Sequence, residues 1–264
     1  RVVSNLGVFD FANDERRMQV VSVHPGVTVD QVVEATGFEM VLGDTVDETR
    51  LPTDDELREV PVFPLPSVVF FPGTELPLHL FEPRYRTMAE ECVVNGSGLV
   101  VVSLLRPGYE AEYEGRPAIH TLSGIGRVTA HRRNRDGTHD ILLEGLGRVH
   151  VDELPADARP YRVARATRAK TLHGELPRHE LAPLLSCVSR VASVVRERHP
   201  DFEVGFGIDD DVATIIDRIA DRFVSEPPRR QEVLEALDLR ERLEKVTDAV
   251  GDLLALIGAR EEPS

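Results

Sequence analysis

Pro61-Val-Phe-Pro-Leu-Pro-Ser-Val-Val-Phe-Phe-Pro-Gly73, followed two residues on by Leu76-Pro-Leu-His-Leu-Phe-Glu-Pro-Arg-Tyr-Arg86, is the stretch whose reading decides the fold. Its apolar runs are short and interrupted by proline, which forbids a continuous helix and favours brief extended segments. Val68-Val-Phe-Phe and Leu99-Val-Val-Val-Ser-Leu-Leu read as buried strands, and Tyr85 to Val93 reads as a helix. The same stretch opens a domain. Seven carboxylates fall between Asp44 and Glu59, the composition of a solvated linker. Residues 1–60 hold thirteen acidic and five basic side chains, whereas the remainder holds 33 and 26.

Downstream of Pro61 the pattern is that of strands as far as residue 170. Gly124 to His131 and Asp140 to Gly145 flank Asp136-Gly137, a turn expected to supply the positive φ angles of a tight hairpin. Two Gly-x-Gly-Arg-Val units, at 124–128 and 145–149, place glycine inside strands, where it marks a bulge or a barrel corner. A dinucleotide loop would need a third glycine and a following helix. From Leu176 the period becomes helical. Leu181, Leu184, Leu185, Val188, Val191, Ala192 and Val195 form one stripe. Val212, Ile215, Ile216, Ile219 and Phe223 form a second, behind the acidic cap Asp209-Asp-Asp. A segment opened by Pro227 and Pro228 follows, and Leu243, Val246, Val250, Leu253, Leu254 and Ile257 form the last stripe. Such stripes serve either the core of a helical bundle or a groove for a partner helix. Residues 1–60 add β-like runs at Val2–Val3 and Met18–Val23, and a helix capped by Thr28 and stopped at Gly37. The expected class is α+β: a short α/β tail segment (1–60), a β-rich subdomain (61–170) and a helical subdomain (171–264).

Composition narrows function mainly by exclusion. A chain of 264 residues with 41% hydrophobic and 29% charged side chains can bury a core, filled by aliphatics because aromatics make up only 5%. Its formal charge of −15 disfavours nucleic acid and anionic membranes as partners. The basic run from Arg127 to Arg135 reads as a solvated hairpin tip. No apolar run long enough to span a membrane and no charged–apolar–small signal sequence appear in these residues, so the cytoplasm is the expected location. Cys92 and Cys187, 95 positions apart, suit neither a disulfide framework nor a zinc site and are expected to be buried thiols. Only two lysines occur, Lys170 and Lys245, and neither follows a glycine-rich phosphate loop or sits in a serine–lysine dyad. His179-Glu180 lacks the second histidine of a helical zinc pair, and no Gly-x-Ser-x-Gly elbow appears. His120, His131, His139 and His150 could converge from the strands, although strand histidines are usually satisfied by hydrogen bonds. No catalytic residue, cofactor or metal is expected.

The residues quoted at the outset, with Gly124-Ile-Gly-Arg, Ile141-Leu-Leu-Glu-Gly-Leu-Gly-Arg, Arg159-Pro-Tyr-Arg-Val-Ala and Leu234-Glu-Ala-Leu-Asp-Leu-Arg-Glu-Arg-Leu-Glu, resemble the Lon protease N-terminal substrate-binding domain family in its stand-alone bacterial form. The resemblance covers about 61–257. It implies a PUA-like pseudo-barrel followed by a helical bundle, and a role in recognising unfolded or partner proteins. The ATPase and protease domains of full Lon are outside it. Within it, Leu80, Phe81 and Tyr85 are candidate protein-binding residues, because aromatics are rare here; alternatively Phe81 and Tyr85 pin the helix to the barrel. An edge strand could also take up a client strand.

Asn5-Leu-Gly-Val-Phe-Asp-Phe, Ser22-Val-His-Pro-Gly-Val-Thr-Val-Asp-Gln-Val and Ala35-Thr-Gly-Phe resemble a different family, the C-terminal end of class I CoA-transferase beta subunits of the 3-oxoacid or glutaconate type. The nucleophilic glutamate of that family lies upstream of this segment, and Glu15, Glu34 and Glu39 do not stand in its motif. The Arg1 start and the join near Glu59-Val60 suggest either fused reading frames or a truncated sequence.

Overall fold

The computed structural model describes the chain except residues 1, 4–6, 12, 14–15, 24–27, 39, 49–52, 56, 95, 113–114, 171–175, 208–209 and 262–264. Arg1, Asn5, Leu6, Glu15, His24, Glu39 and Asp209, singled out above, therefore lie outside the described residues. Among the described residues there are two sheets and six α-helices, and the class is α+β.

The smaller sheet comes from the first forty-eight residues. Strands β1 (Val2–Val3), β2 (Gly7–Asp10), β3 (Gln19–Val23) and β4 (Val41–Glu48) pair in that order. Helix α1 (Val29–Ala35) crosses from β3 to the parallel β4. Thr28 starts it through a capping box with Gln31, which satisfies two donors that a helix start otherwise leaves unpaired. Val32 is fully buried and meets Phe9, Val20 and Val23. The first part of the acidic stretch expected as a linker is thus strand β4. An edge strand accommodates charge well, since charge there discourages unwanted pairing.

The larger sheet contains β5 (Val60–Leu65), β6 (Glu75–Leu80), β7 (Leu99–Leu104), β8 (Leu122–Arg133), β9 (His139–Glu153) and β10 (Arg162–Arg168). Its order is β10-β5-β7-β8-β9-β6, and β10 also pairs with β9. Five strands therefore pair in a closed circuit, and β6 hangs from β9 as the strand with one partner. The long β9 makes this possible. Residues 139–144 pair with β6, while 149–153 pair with β10. The change of partner falls at Gly145-Leu-Gly, opposite a register shift between Ile125 and Gly126. The glycine units thus mark the corner read from the sequence.

A second reason for those glycines is steric. The Val69–Phe71 segment runs across β8 and β9, and a Cβ on Gly124 or Gly145 would lie 2.1 Å from the carbonyl oxygen of Phe70 or Phe71. Val68-Val-Phe-Phe is accordingly no strand, against expectation. Pro66 and Pro72 flank it, and its residues feed two cores instead. Phe70 joins the apolar cluster inside the strands, whereas Val69 and Phe71 join the cluster of the helices.

The hairpin turn also differs in detail. Only Gly137 takes positive φ, at 81°. Gly137 N–H donates to Asn134 O and Asn134 N–H to Thr138 O, giving a three-residue loop with a glycine bulge in place of a two-residue turn. Helix α2 (Pro83–Met88) continues as a π-helical turn over Ala89–Val94.

Helices α3 (Ala182–Arg198), α4 (Val212–Phe223), α5 (Pro227–Glu235) and α6 (Leu239–Glu261) carry the expected stripes. Asp211 caps α4 by accepting from the Thr214 N–H. Leu184, Val188, Ile216, Ile219, Val246 and Val250 are almost wholly buried, and they share one cluster with Leu104 and Leu122 from the strands.

Candidate functional site

The helices are bound to the sheet by a buried charge cluster. Arg148, next to the β9 corner, grips Asp217 of α4 with both nitrogens, at 2.8 and 2.7 Å, and donates from Nε to Leu234 O. Arg242 of α6 approaches the same carboxylate at 3.4 Å and donates from Nε to Ala236 O. Burial pulls the Arg242 guanidinium down to about 10. A bidentate pair sealed from water fixes orientation as well as charge.

This clamp sets the helices beside β6, and the exposed surface around β6 is the candidate site. Along β6, Glu75, Pro77 and His79 face water, Leu76 and Leu78 are half-buried, and Leu80 is buried. A proline is tolerated here because an edge strand need not donate on its free side. The three residues singled out by sequence separate at this point. Leu80 lies within the sheet core. Tyr85 is buried on α2, edge-on to Phe63 at 4.3 Å, with the Arg84 guanidinium 4.9 Å from its ring. Phe81 is 63% exposed, in a loose stack with His79 at 6.2 Å.

His79 is itself held. Its Nδ1 lies 2.6 Å from Asp140 on β9, and Arg132 and Asn134 donate to the other carboxylate oxygen. The bonds from His79, then Arg132 and Asn134, hold the Asp140 carboxyl well below the usual carboxylate range. A depressed carboxyl contributes stability that is complete above its unfolded value and is lost as pH falls through the folded one. Acidification below the ordinary carboxylate range is therefore expected to loosen this end of the β6–β9 pairing. Amide exchange of residues 78–81 and 139–141 measured against pH checks it, and rates that follow only the intrinsic pH dependence would count against it.

At the other end of β6 lies a cleft of about 810 Å³, walled by Gly73–Glu75, Pro77 and Glu144 on one side and Glu203–Gly205 with Arg222 on the other. Arginines hold the far wall. Arg218 donates to Gly73 O and to Asp210, and Arg222 donates to Glu203 O beside the Phe202 ring. The cleft mixes both signs of charge and is open to water. Sequence reading missed it, because its walls come from segments about 130 residues apart; the only local signal was the Gly205- and Gly207-bearing connection between α3 and α4.

The strand histidines do not converge as a set. His131 and His139 stack, with 2.8 Å between facing nitrogens, while His120 pairs with Glu235. Burial, then the neighbouring His139, lowers the His131 pKa. Among the described residues no group of three histidine, cysteine or carboxylate side chains has metal-binding geometry. Cys92 and Cys187 are unpaired and half-buried. No helix among the described residues is long and apolar enough to cross a membrane.

In fold, the chain is similar to solved Lon N-terminal modules. The Lon N-terminal domain protein of Xanthomonas campestris superposes with a TM-score of 0.52 at 22% identity, covering 71% of this chain and 96% of that one. The N-terminal domain of the Mycobacterium avium complex Lon protease gives 0.55 at 16% identity, covering 74% and 99%. The sequence profile of the ATP-dependent protease La (LON) substrate-binding domain matches residues 59–251, and the chain belongs to that family. The Lon protease of Methylocella silvestris is 25% identical over 218 residues, which are 81% of this chain and 26% of that protein. A second likeness fits the other resemblance. The "Cholesterol ring-cleaving hydrolase IpdB subunit" of Mycobacterium tuberculosis is 60% identical over 58 residues, 22% of this chain and 23% of that protein. The chain thus spans about a quarter of the length of each of these relatives.

Proposed function

We propose that residues 61–264 recognise unfolded or partner proteins without transforming them, and that an extended client segment docks along β6 as far as Phe81. The observation that carries this reading is Phe81 itself, an aromatic ring 63% exposed beside a strand that has only one partner. On either side of it in the sequence, Leu80 and Tyr85 are buried in the core of the strands, which anchors the chain that carries the ring. Strand addition supplies backbone hydrogen bonds that are indifferent to client sequence, and an aromatic anchor adds buried area. The mixed-charge cleft offers the same segment a polar continuation.

The architecture is read to match. The closed circuit of five strands supports a PUA-like pseudo-barrel over 61–170, and the shared helical core supports a bundle over 171–264. The acidic charge favours protein over nucleic acid as the partner, in a cytoplasmic, bacterial setting.

The test uses the full chain and a permanently unfolded model protein. Phe81→Ala is expected to weaken binding about tenfold or more. Its melting temperature should move by no more than about 2 °C, because an exposed side chain contributes little to stability. Absence of binding by the wild type, or equal binding by the variant, defeats the reading.

A second reading concerns residues 1–60 alone, which we take as a fragment of a class I CoA-transferase-type subunit. The 60% identity to the IpdB subunit supports it. It is a reading of fold and assembly, since none of the glutamates present stands in the nucleophile's motif.

A further inference from the structure

The first forty-eight residues carry an apolar margin that the rest of the chain leaves open. Phe11, Val33, Phe38 and Leu42 are 48%, 45%, 58% and 47% exposed, and they make up four of the six prominent exposed apolar side chains among the described residues. Three of them follow one another in the sequence across α1 and β4. Val33 adjoins the buried Val32 on α1, Phe38 stands in the connection from α1 to β4, and Leu42 pairs with Val20 on the edge strand β4. β3 and β4 pair in parallel across α1, while β1–β2 and β2–β3 pair antiparallel. Here one seven-residue helix accompanies four short strands, too little to enclose a core by itself.

We propose that this α1–β4 margin, centred on Phe38 and Leu42, is a docking face for the body of an IpdB-type CoA-transferase subunit. The proposal rests on the second reading above. The matched 58 residues amount to 23% of the IpdB relative, so a closely similar sequence there is continuous with a much larger polypeptide. That polypeptide is the occupant the face fits: a protein surface with an apolar centre able to take a phenylalanine and a leucine.

The experiment co-expresses the full chain with the Mycobacterium tuberculosis IpdB subunit from which the matched residues have been deleted. The expected result is a complex that survives gel filtration, with slowed amide exchange across residues 29–42. Phe38→Asp combined with Leu42→Asp should weaken that complex about tenfold or more. An in-frame fusion of the deleted subunit ahead of the full chain covers the case in which the subunit is insoluble alone. If neither arrangement slows exchange at 29–42, the fragment reading itself is overturned. If the complex forms and the double variant keeps it, the docking face is wrong while the fragment reading stands. If the chain instead pairs with a second copy through these residues, the assigned occupant is wrong.

Discussion

Asp217→Ala is expected to lower the melting temperature of the chain by on the order of 10 °C. The carboxylate is 2% exposed and receives both nitrogens of Arg148, with Arg242 beside it. Removing it leaves two guanidiniums facing each other without a counter-charge. Breaking a buried pair from one side costs about 3–5 kcal/mol. For a chain of this size each kcal/mol is worth roughly 2–4 °C. Arg148→Met should cost less, because Arg242 remains to neutralise Asp217. Thermal unfolding of both variants checks the order, and an Asp217→Ala protein that melts with the wild type would show that the clamp contributes nothing.

The second large effect is expected at Gly145. An alanine Cβ there would sit 2.1 Å from Phe71 O and 3.2 Å from Pro72 Cα, both backbone atoms. Backbone cannot swing away as a side chain can, and this segment is also held by the Gly73 N–H bond to Gly145 O. Overpacking of this kind costs about 3 kcal/mol, or roughly 6–12 °C at this chain length. Gly147 supplies the internal control, since an added Cβ would meet nothing within 4 Å. Gly147→Ala should stay within about 0.5 kcal/mol of the parent. Equal losses at the two positions would mean that strand propensity, not the crossing chain, explains the motif.

Periodicity in the sequence was enough for the helical stripes, the Thr28 cap, the hairpin and the glycine corner, because each depends on neighbours close along the chain. Other features depend on partners far away. Val68-Val-Phe-Phe has the composition of a strand, yet its neighbours claim its side chains for two different cores. The partner of Arg148 stands 69 residues on, and nothing local distinguishes Asp217 from Asp221, the other acid of α4. Aromatic scarcity directed attention to Leu80, Phe81 and Tyr85, but it could not separate the exposed ring from the two buried side chains. That separation follows from strand alternation at the end of β6, where Leu80 turns inward and Phe81 begins the exit. Of the cleft only the glycines of the α3–α4 connection were local, since its walls meet only where that connection comes to rest near β6.

The crossing segment at Val69–Phe71 bears on how such a module is inherited. Its three residues are divided between the core of the strands and the core of the helices, so neither core is complete without the other. A cut near residue 170 would expose Phe71, Leu104 and Leu122 together. A swap that moved the strands without the helices would therefore leave both cores open.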